Sequence, residues 1–381
     1  MAATGLAVFA CGCGGRSALD DSEYRLSSET GGASSSVGPT APATTKVAAG
    51  FNHNCVLKAD GTVNCWGHDD PVVTGNAVSS NVPVPVNGIS SAVDIAAGTS
   101  SSCALIQGGT VQCWGYNGLG QLGTGDTKLV TGPVQVIGVS NAVDVGVAGS
   151  FGCALEGADR VLQCWGSRTF NPMSVQFPNA ATIDCWGSKG AGTFVLMNDG
   201  TVMGWGFNGS GQLGDGSTVT SNWPVGVNGI TQAQSVSGGF MGHTCAGLAN
   251  GSVKCWGANG FGQLGDGTTS NRATPVDVVG ISTAIAVSAG GSHTCAVLQG
   301  GSMVCWGYNG TGQLGIGSTQ GTTLPVTVPG ITSASMPASG SAHTCVLGTD
   351  GTVSCWGANP MGQLGNGTTT DSWVPVRVSG Y

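Results

Sequence analysis

The chain has 381 residues, 69 of them Gly and 15 of them Cys, but only 8% of it is charged, a composition far from that of an ordinary cytosolic enzyme domain. Lys plus Arg number 11 against 19 acidic residues, and the formal charge of −8 gives no basic field for a phosphate backbone, which argues against a nucleic-acid partner. No apolar run reaches the roughly 20 residues that span a bilayer.

Residues 1–16 contain Gly5-Leu6-Ala7-Val8-Phe9-Ala10-Cys11, an apolar stretch leading to a small residue and a cysteine, which resembles the end of a bacterial lipoprotein signal. Cys11 and Cys13 are the candidate acylation sites, and no Lys or Arg precedes the stretch. Residues 17–45 are rich in Ser, Thr, Gly and Pro, as a flexible tether would be. The bland alternative is a disordered tail with two stray thiols.

From residue 46 to 381 the chain is periodic, which decides the fold before any local reading. Trp-Gly recurs in phase at Trp66, Trp114, Trp165, Trp205, Trp256, Trp306 and Trp356, giving seven units of about 50 residues, with 40 between the third and fourth. Each unit has a short apolar run ending near Gly, a Cys-x-Leu segment, a Gly turn, and a segment ending in Trp-Gly. Asn-Gly-x-Gly-Gln-Leu-Gly and a Pro-Val segment follow in most units. Runs of four to six residues rich in Val, Leu and Thr, bounded by Gly, Asn and Pro, are strand and turn signals, and no window carries a helical period. The expected fold is all-β, a seven-bladed β-propeller. The first unit is read as lacking its Pro-Val strand, so the C-terminal Pro375–Gly380 strand is expected to complete the first blade and close the ring.

Twelve cysteines form six sequence pairs: Cys55-Cys65, Cys103-Cys113, Cys153-Cys164, Cys245-Cys255, Cys295-Cys305 and Cys345-Cys355. Around Ala59-Asp60-Gly61, a three-residue hairpin loop sets Lys58 opposite Thr62, and counting outward sets Cys55 opposite Cys65, close enough to bond. The third pair is separated by one more residue because its turn, Gly157–Arg160, is longer by one. In the fourth unit Phe194 and Gly204 replace both cysteines together, as pairing requires. Two thiolates per blade make only half a zinc site, and reduced core thiols would not be lost jointly, so disulfides are favoured over both. Disulfides in this number place the protein outside the cytosol, in the cell envelope or secreted. Cys185 falls in an innermost apolar run and reads as a buried free thiol.

The motifs Gly-x-x-His-Thr-Cys-x-Leu, Asp-Gly-Thr-Val-x-Cys-Trp-Gly and Asn-Gly-x-Gly-Gln-Leu-Gly resemble the repeat of the regulator of chromosome condensation family, across residues 46–381. The resemblance implies a seven-bladed propeller of four-stranded blades. Gly-Gln-Leu-Gly is missing from the first unit, at His68–Pro71, and the third, at Ser167–Phe170, and the paired cysteines are additional to the nuclear pattern. The family includes a guanine-nucleotide exchange factor, plant light sensors and a bacterial β-lactamase inhibitor, and no exchange-factor residue carries over to this chain.

His53, His243, His293 and His343 each precede the first cysteine of a pair by two residues and read as hydrogen-bonding structural groups, because equivalent positions in neighbouring blades lie too far apart for one ion. The Gly-rich loops lack the Lys-Ser/Thr of a phosphate loop, and Asp215 and Asp266 are too isolated for calcium. No catalytic set, cofactor site or metal site is expected.

The residues that break the repeat are Trp223, Trp373, Arg272, Lys128 and Leu129, with Phe170 and Met173 in the third unit. Exposed aromatics and Arg are common interface anchors. For Trp223 and Trp373, each just before the Pro-Val strand, packing between blades is the preferred reading. The expected function is a monomeric, non-enzymatic propeller that binds a protein or a surface glycan through loop-built faces, touching membrane only through an N-terminal lipid. The alternatives are an exchange factor for a small GTPase and an extracytoplasmic enzyme with a cleft on a propeller face.

Overall fold

The computed structural model describes residues 43–68, 75, 79–167, 174–188 and 192–381. Their strands form seven four-stranded antiparallel sheets, each built from four consecutive strands. The first blade runs Thr44–Ala49, His53–Lys58, Val63–Gly67 and Ser80–Pro85, and the seventh runs Ala334–Ser339, His343–Gly348, Val353–Gly357 and Ser372–Arg377. The first strand of each blade touches the first strands of both neighbours, so seven innermost strands surround the axis in a closed ring. Seven clusters of buried apolar side chains, most of them drawn from two neighbouring blades, form the core.

The propeller matches the periodicity, but the mode of closure differs from expectation. The C-terminal strand does not complete the first blade: Val376 pairs with Cys355 of its own seventh blade, while Val84 pairs with Cys65. The first unit carries its own outer strand in Asn81-Val82-Pro83-Val84-Pro85, so no place is left for the end of the chain. No strand is exchanged at the junction of the first and last blades, and side chains must close the ring. The N-terminal strand also begins at Thr44, slightly ahead of Lys46.

The hairpin register follows the turn. Gly61 takes φ +79°, which L side chains resist, and Lys58 N donates to Thr62 O at 2.9 Å. Asp60 Oδ1 accepts from both Thr62 N and Thr62 Oγ1, which explains the Asp-Gly-Thr spelling of the turn. Cys55 then lies opposite Cys65 with Cα atoms 4.1 Å apart, and the sulfurs are bonded. The other five pairs are bonded in the same way. Cys185 is buried and free, in the innermost strand Ala180–Trp186.

Aromatic packing stands in for the missing disulfide of the fourth blade. The Phe194 ring lies over Gly204, where a Cβ would come within 2.4 Å of it. It stacks on Trp186 at 5.9 Å and meets Trp256 edge-on at 6.2 Å. The out-of-phase Trp186 thus fills the fourth blade's core. Alkylation of denatured, unreduced protein is expected to label Cys185 and none of the twelve paired cysteines, read by peptide mass spectrometry. Labelling at Cys55 or Cys65 would show that the hairpin cysteines are thiols.

Candidate interaction face

In each antiparallel blade the first-to-second and third-to-fourth strand connections emerge on one face of the ring. The tight hairpin turns emerge on the other. The Gly-Gln-Leu-Gly segments therefore share the first of these, the loop face, where they join neighbouring blades. The Gln263 carbonyl accepts from Trp306 Nε1 at 2.9 Å and from Thr294 Oγ1 at 2.8 Å, both in the next blade. Gln212 and Gln313 serve their following blades in the same way. At the closing seam Gln363 O accepts from Trp66 Nε1 and from Asn54 Nδ2 at 2.7 Å, so Asn54 takes the part of the threonine.

The histidines complete these joints. Because Thr294 and Thr344 give their hydroxyl hydrogens to glutamine carbonyls, they accept from Nε2 of His243 and His293, at 3.0 and 2.8 Å. His343 Nε2 donates to Asn54 Oδ1 at 2.9 Å, and His53 Nε2 lies 2.8 Å from Ser102 Oγ. All four rings are buried. Burial lowers His53, His293 and His343 to about 3 and His243 to about 4, so they are neutral. They are structural groups, as the sequence suggested.

The seam between the third and fourth blades lacks this joint. Trp205 is fully buried, and its Nε1 has no hydrogen-bond partner among the described residues, the third unit having no Gly-Gln-Leu-Gly to offer a carbonyl. Phe177 stacks on its ring at 5.8 Å.

Around the axis lies a charged group that sequence reasoning did not single out: Lys46, Asp94, Asp144 and Asp184, all on innermost strands and all buried. Lys46 pairs with Asp94 across the first seam. Asp144 Oδ2 accepts from Thr182 Oγ1 and from Ile183 N, and Asp184 Oδ2 accepts from Gly238 N at 2.7 Å. Burial, followed by the charge of Asp94, raises Asp144 to about 7, and burial raises Asp184 well above the carboxylate range. The available signal was a charged residue inside an apolar run, as in Ala92-Val93-Asp94-Ile95-Ala96. With only 1–2% of their surface exposed, the three carboxyls link blades and do not meet substrate.

On the loop face, Phe51 and Phe240, from the first and fifth blades, meet at 5.7 Å. Further out, Leu119, Met241, Phe261, Tyr308 and Met361 are exposed on the loops, and Phe261 meets Tyr308 edge-on at 4.9 Å. The tight hairpin turns of the opposite face carry Asp60, Asp159, Asp199 and Asp350, and the loops of the loop face carry Asp126, Asp215, Asp266 and Asp371.

The residues chosen from sequence do not form one patch. Trp223 is 72% exposed and Trp373 50%, so the expectation that both pack between blades is corrected. Trp223 occupies the outward third position of its edge strand, while Trp373, at the second, leans on Gly312 of the preceding blade. Arg272 is clamped to Asp266 through Nε at 3.0 Å and Nη2 at 2.9 Å. Lys128 and Leu129 are exposed on the second blade, Lys128 being 3.6 Å from Asp126. Phe170, Met173, Cys11 and Cys13 lie outside the described residues. Among the described residues no cluster of His, Cys, Asp or Glu suits a metal ion.

These features define a closed propeller of disulfide-stapled blades joined through loop glutamines. Two models of the regulator of chromosome condensation (RCC1) repeat match it, one over residues 108–155, 199–246, 250–297 and 301–347. The other covers 45–70, 92–121, 233–263, 284–313 and 338–363. The chain belongs to this family. It is 29% identical over 117 residues to the RCC1 domain-containing protein RUG3, mitochondrial, of Arabidopsis thaliana, covering 29% of this chain and 25% of that protein. The chain spans about a quarter of the length of the curated relatives it matches. Among solved structures, Prp20p of Saccharomyces cerevisiae superposes with a TM-score of 0.71 at 20% identity over 85% of this chain and 87% of that one. The receptor kinase CR4 ectodomain of Physcomitrella patens gives 0.54 at 22% identity, over 83% and 74%.

Two outcomes test the joints. Trp306→Phe removes a satisfied hydrogen bond and leaves the Gln263 carbonyl with Thr294 Oγ1 alone, whereas Trp205→Phe removes an N–H without a partner among the described residues. Trp306→Phe should destabilise by about 1–2 kcal/mol more, measured by denaturant unfolding. Equal losses would show that the indole bonds contribute nothing. Second, the unfolded chain binds protons near pH 6.5 that the four folded histidines refuse until about 3 to 4, so stability falls as pH drops through this window. Each contributes up to about 1.4 kcal/mol per pH unit, while Asp144 and Asp184, raised in the fold, oppose the loss. The denaturation midpoint should therefore drop from pH 6.5 to 4, and His293→Gln should shallow the drop. A flat midpoint in both proteins would mean that the histidines ionise within the fold.

Proposed function

We propose that this protein is an extracytoplasmic, non-enzymatic binding propeller that presents its loop face to a protein or a surface glycan. The observation that carries the reading is the gathering of exposed Phe261, Tyr308, Leu119, Met241 and Met361 on the loop face, with Trp373 and Trp223 at its rim. Large exposed apolar groups set among Asn, Gln, Ser and Thr suit partners recognised by ring stacking and hydrogen bonds. Six disulfides support an oxidising compartment, in which the propeller is held by the tether 17–45 from a lipid on Cys11 or Cys13, or is secreted.

Prp20p, the fold relative, is described together with its binding properties to Gsp1p and histones, which supports a binding role for the scaffold. An exchange factor would work on a cytosolic GTPase, where disulfides do not persist. An enzyme would need reachable acid–base groups, and the axial carboxyls are sealed inside the seams.

Photo-crosslinking residues at positions 261, 308 and 373, compared with positions 60 and 350, test this reading in intact cells. Crosslinked partners should come from the loop-face positions, and Phe261→Ser with Trp373→Ser should lower partner capture about tenfold or more without lowering Tm. Equal crosslinking from both faces would overturn the assignment.

A further inference from the structure

The seven seams are not equal, and the one between the third and fourth blades differs in kind from those that follow the fourth, fifth, sixth and seventh blades. Between the fifth and sixth blades, Gln263 holds Trp306 and Thr294, His243 holds Thr294, and Ala289 N donates to Ser237 Oγ beside the axis. Between the third and fourth, the indole donor has no partner among the described residues and the histidine position of the third blade holds Phe151. The sulfur contact of Cys153 with Thr193 Oγ1, at 3.9 Å, is weak. Among the described residues, apart from Gly149 N donating to Gly187 O, the strong polar links are the two that Asp144 accepts from Thr182 and Ile183.

We propose that the ring opens first between its third and fourth blades, and that the carboxyl of Asp144 is the clasp that holds this seam shut. The groups facing Asp144 are Lys46 and Asp94 from the first two innermost strands and Asp184 with the Cys185 thiol from the fourth. On its own blade, Val145 and the paired Leu155 add no charge. The cation that acts on Asp144, Lys46, forms its ion pair with Asp94. A carboxylate at Asp144 therefore sits buried beside two other acids without a cation of its own, and the seam relieves it by admitting water.

The direction follows from the raised value of about 7: the neutral acid is the closed form, and ionisation as pH rises through that value works against the fold. Opening parts the third blade from the fourth, which carries Trp223 on its rim, so the same protonation governs the shape of the loop face there.

Hydrogen exchange by mass spectrometry at about pH 5.5 and about pH 8.5, corrected for chemical exchange, tests the clasp on the full chain. Protection of Ala142–Val147 and Ala180–Trp186 should fall about tenfold or more at the higher pH, while Ala284–Ala289 and Ala334–Ser339 change little. Asp144→Asn, which keeps a neutral group in place, should abolish the pH dependence at the 3/4 seam. Thr182→Val, which removes one link but no charge, should raise exchange there even at the lower pH. An equal fall at all seams, or pH dependence that survives Asp144→Asn, would overturn the proposal. If Asp144→Asn does not fold, Thr182→Val decides, and unchanged exchange in it would overturn the clasp.

Discussion

A single backbone carbonyl, that of the glutamine in Gly-Gln-Leu-Gly, joins one blade to the next. A propeller must hold its ends together, and this chain exchanges no strand to do so. The fourth to seventh blades each present a turn whose glutamine oxygen receives an indole N–H and a hydroxyl or amide from the following blade, and from the fifth blade onward a neutral histidine backs that hydroxyl or amide. These groups are deep in the core, where an unpaired donor costs on the order of 1–3 kcal/mol, so the joints are selective as well as cohesive. The first and last blades meet through the same device, with Asn54 in the threonine's place.

Two orders of cohesion result. Within a blade, disulfides bind the central hairpin covalently and limit what its unfolded arms can explore. Between blades, cohesion is hydrogen bonding and apolar contact, which protonation can alter. A chain with little charge and abundant glycine keeps rigid blades by the first means and leaves the seams adjustable by the second. The exposed aromatic groups of the loop face sit on the same loops whose glutamines form the joints, so changes at a seam reach the surface directly.

Much of this was legible in the sequence, because its signals are local or periodic. The seven in-phase Trp-Gly pairs gave the blade count, and the Asp-Gly-Thr turn fixed the register that opposes the cysteines. Closure was misread because Pro83-Val84-Pro85 was not recognised as the first unit's outer strand. The joints escaped notice because their partners lie in successive units, Gln212 with Thr244 and Trp256 for instance. A correlated absence was nevertheless present: the third unit lacks Gly-Gln-Leu-Gly, and the fourth lacks His-Thr-Cys. The axial carboxyls went unseen because single aspartates in apolar runs carry no spacing pattern, and their proximity appears only when innermost strands converge. The exposure of Trp223 and Trp373 depended on which side of an edge strand each occupied, which the Pro-Val motif alone does not specify.

Exchange rates of the indole N–H groups, followed by NMR on protein with ¹⁵N-labelled tryptophan, test the glutamine joint most directly. The account predicts that Trp66, Trp256, Trp306 and Trp356 exchange only with global opening and that Trp205 exchanges faster than all four. A Trp205 indole as protected as that of Trp306 would contradict it.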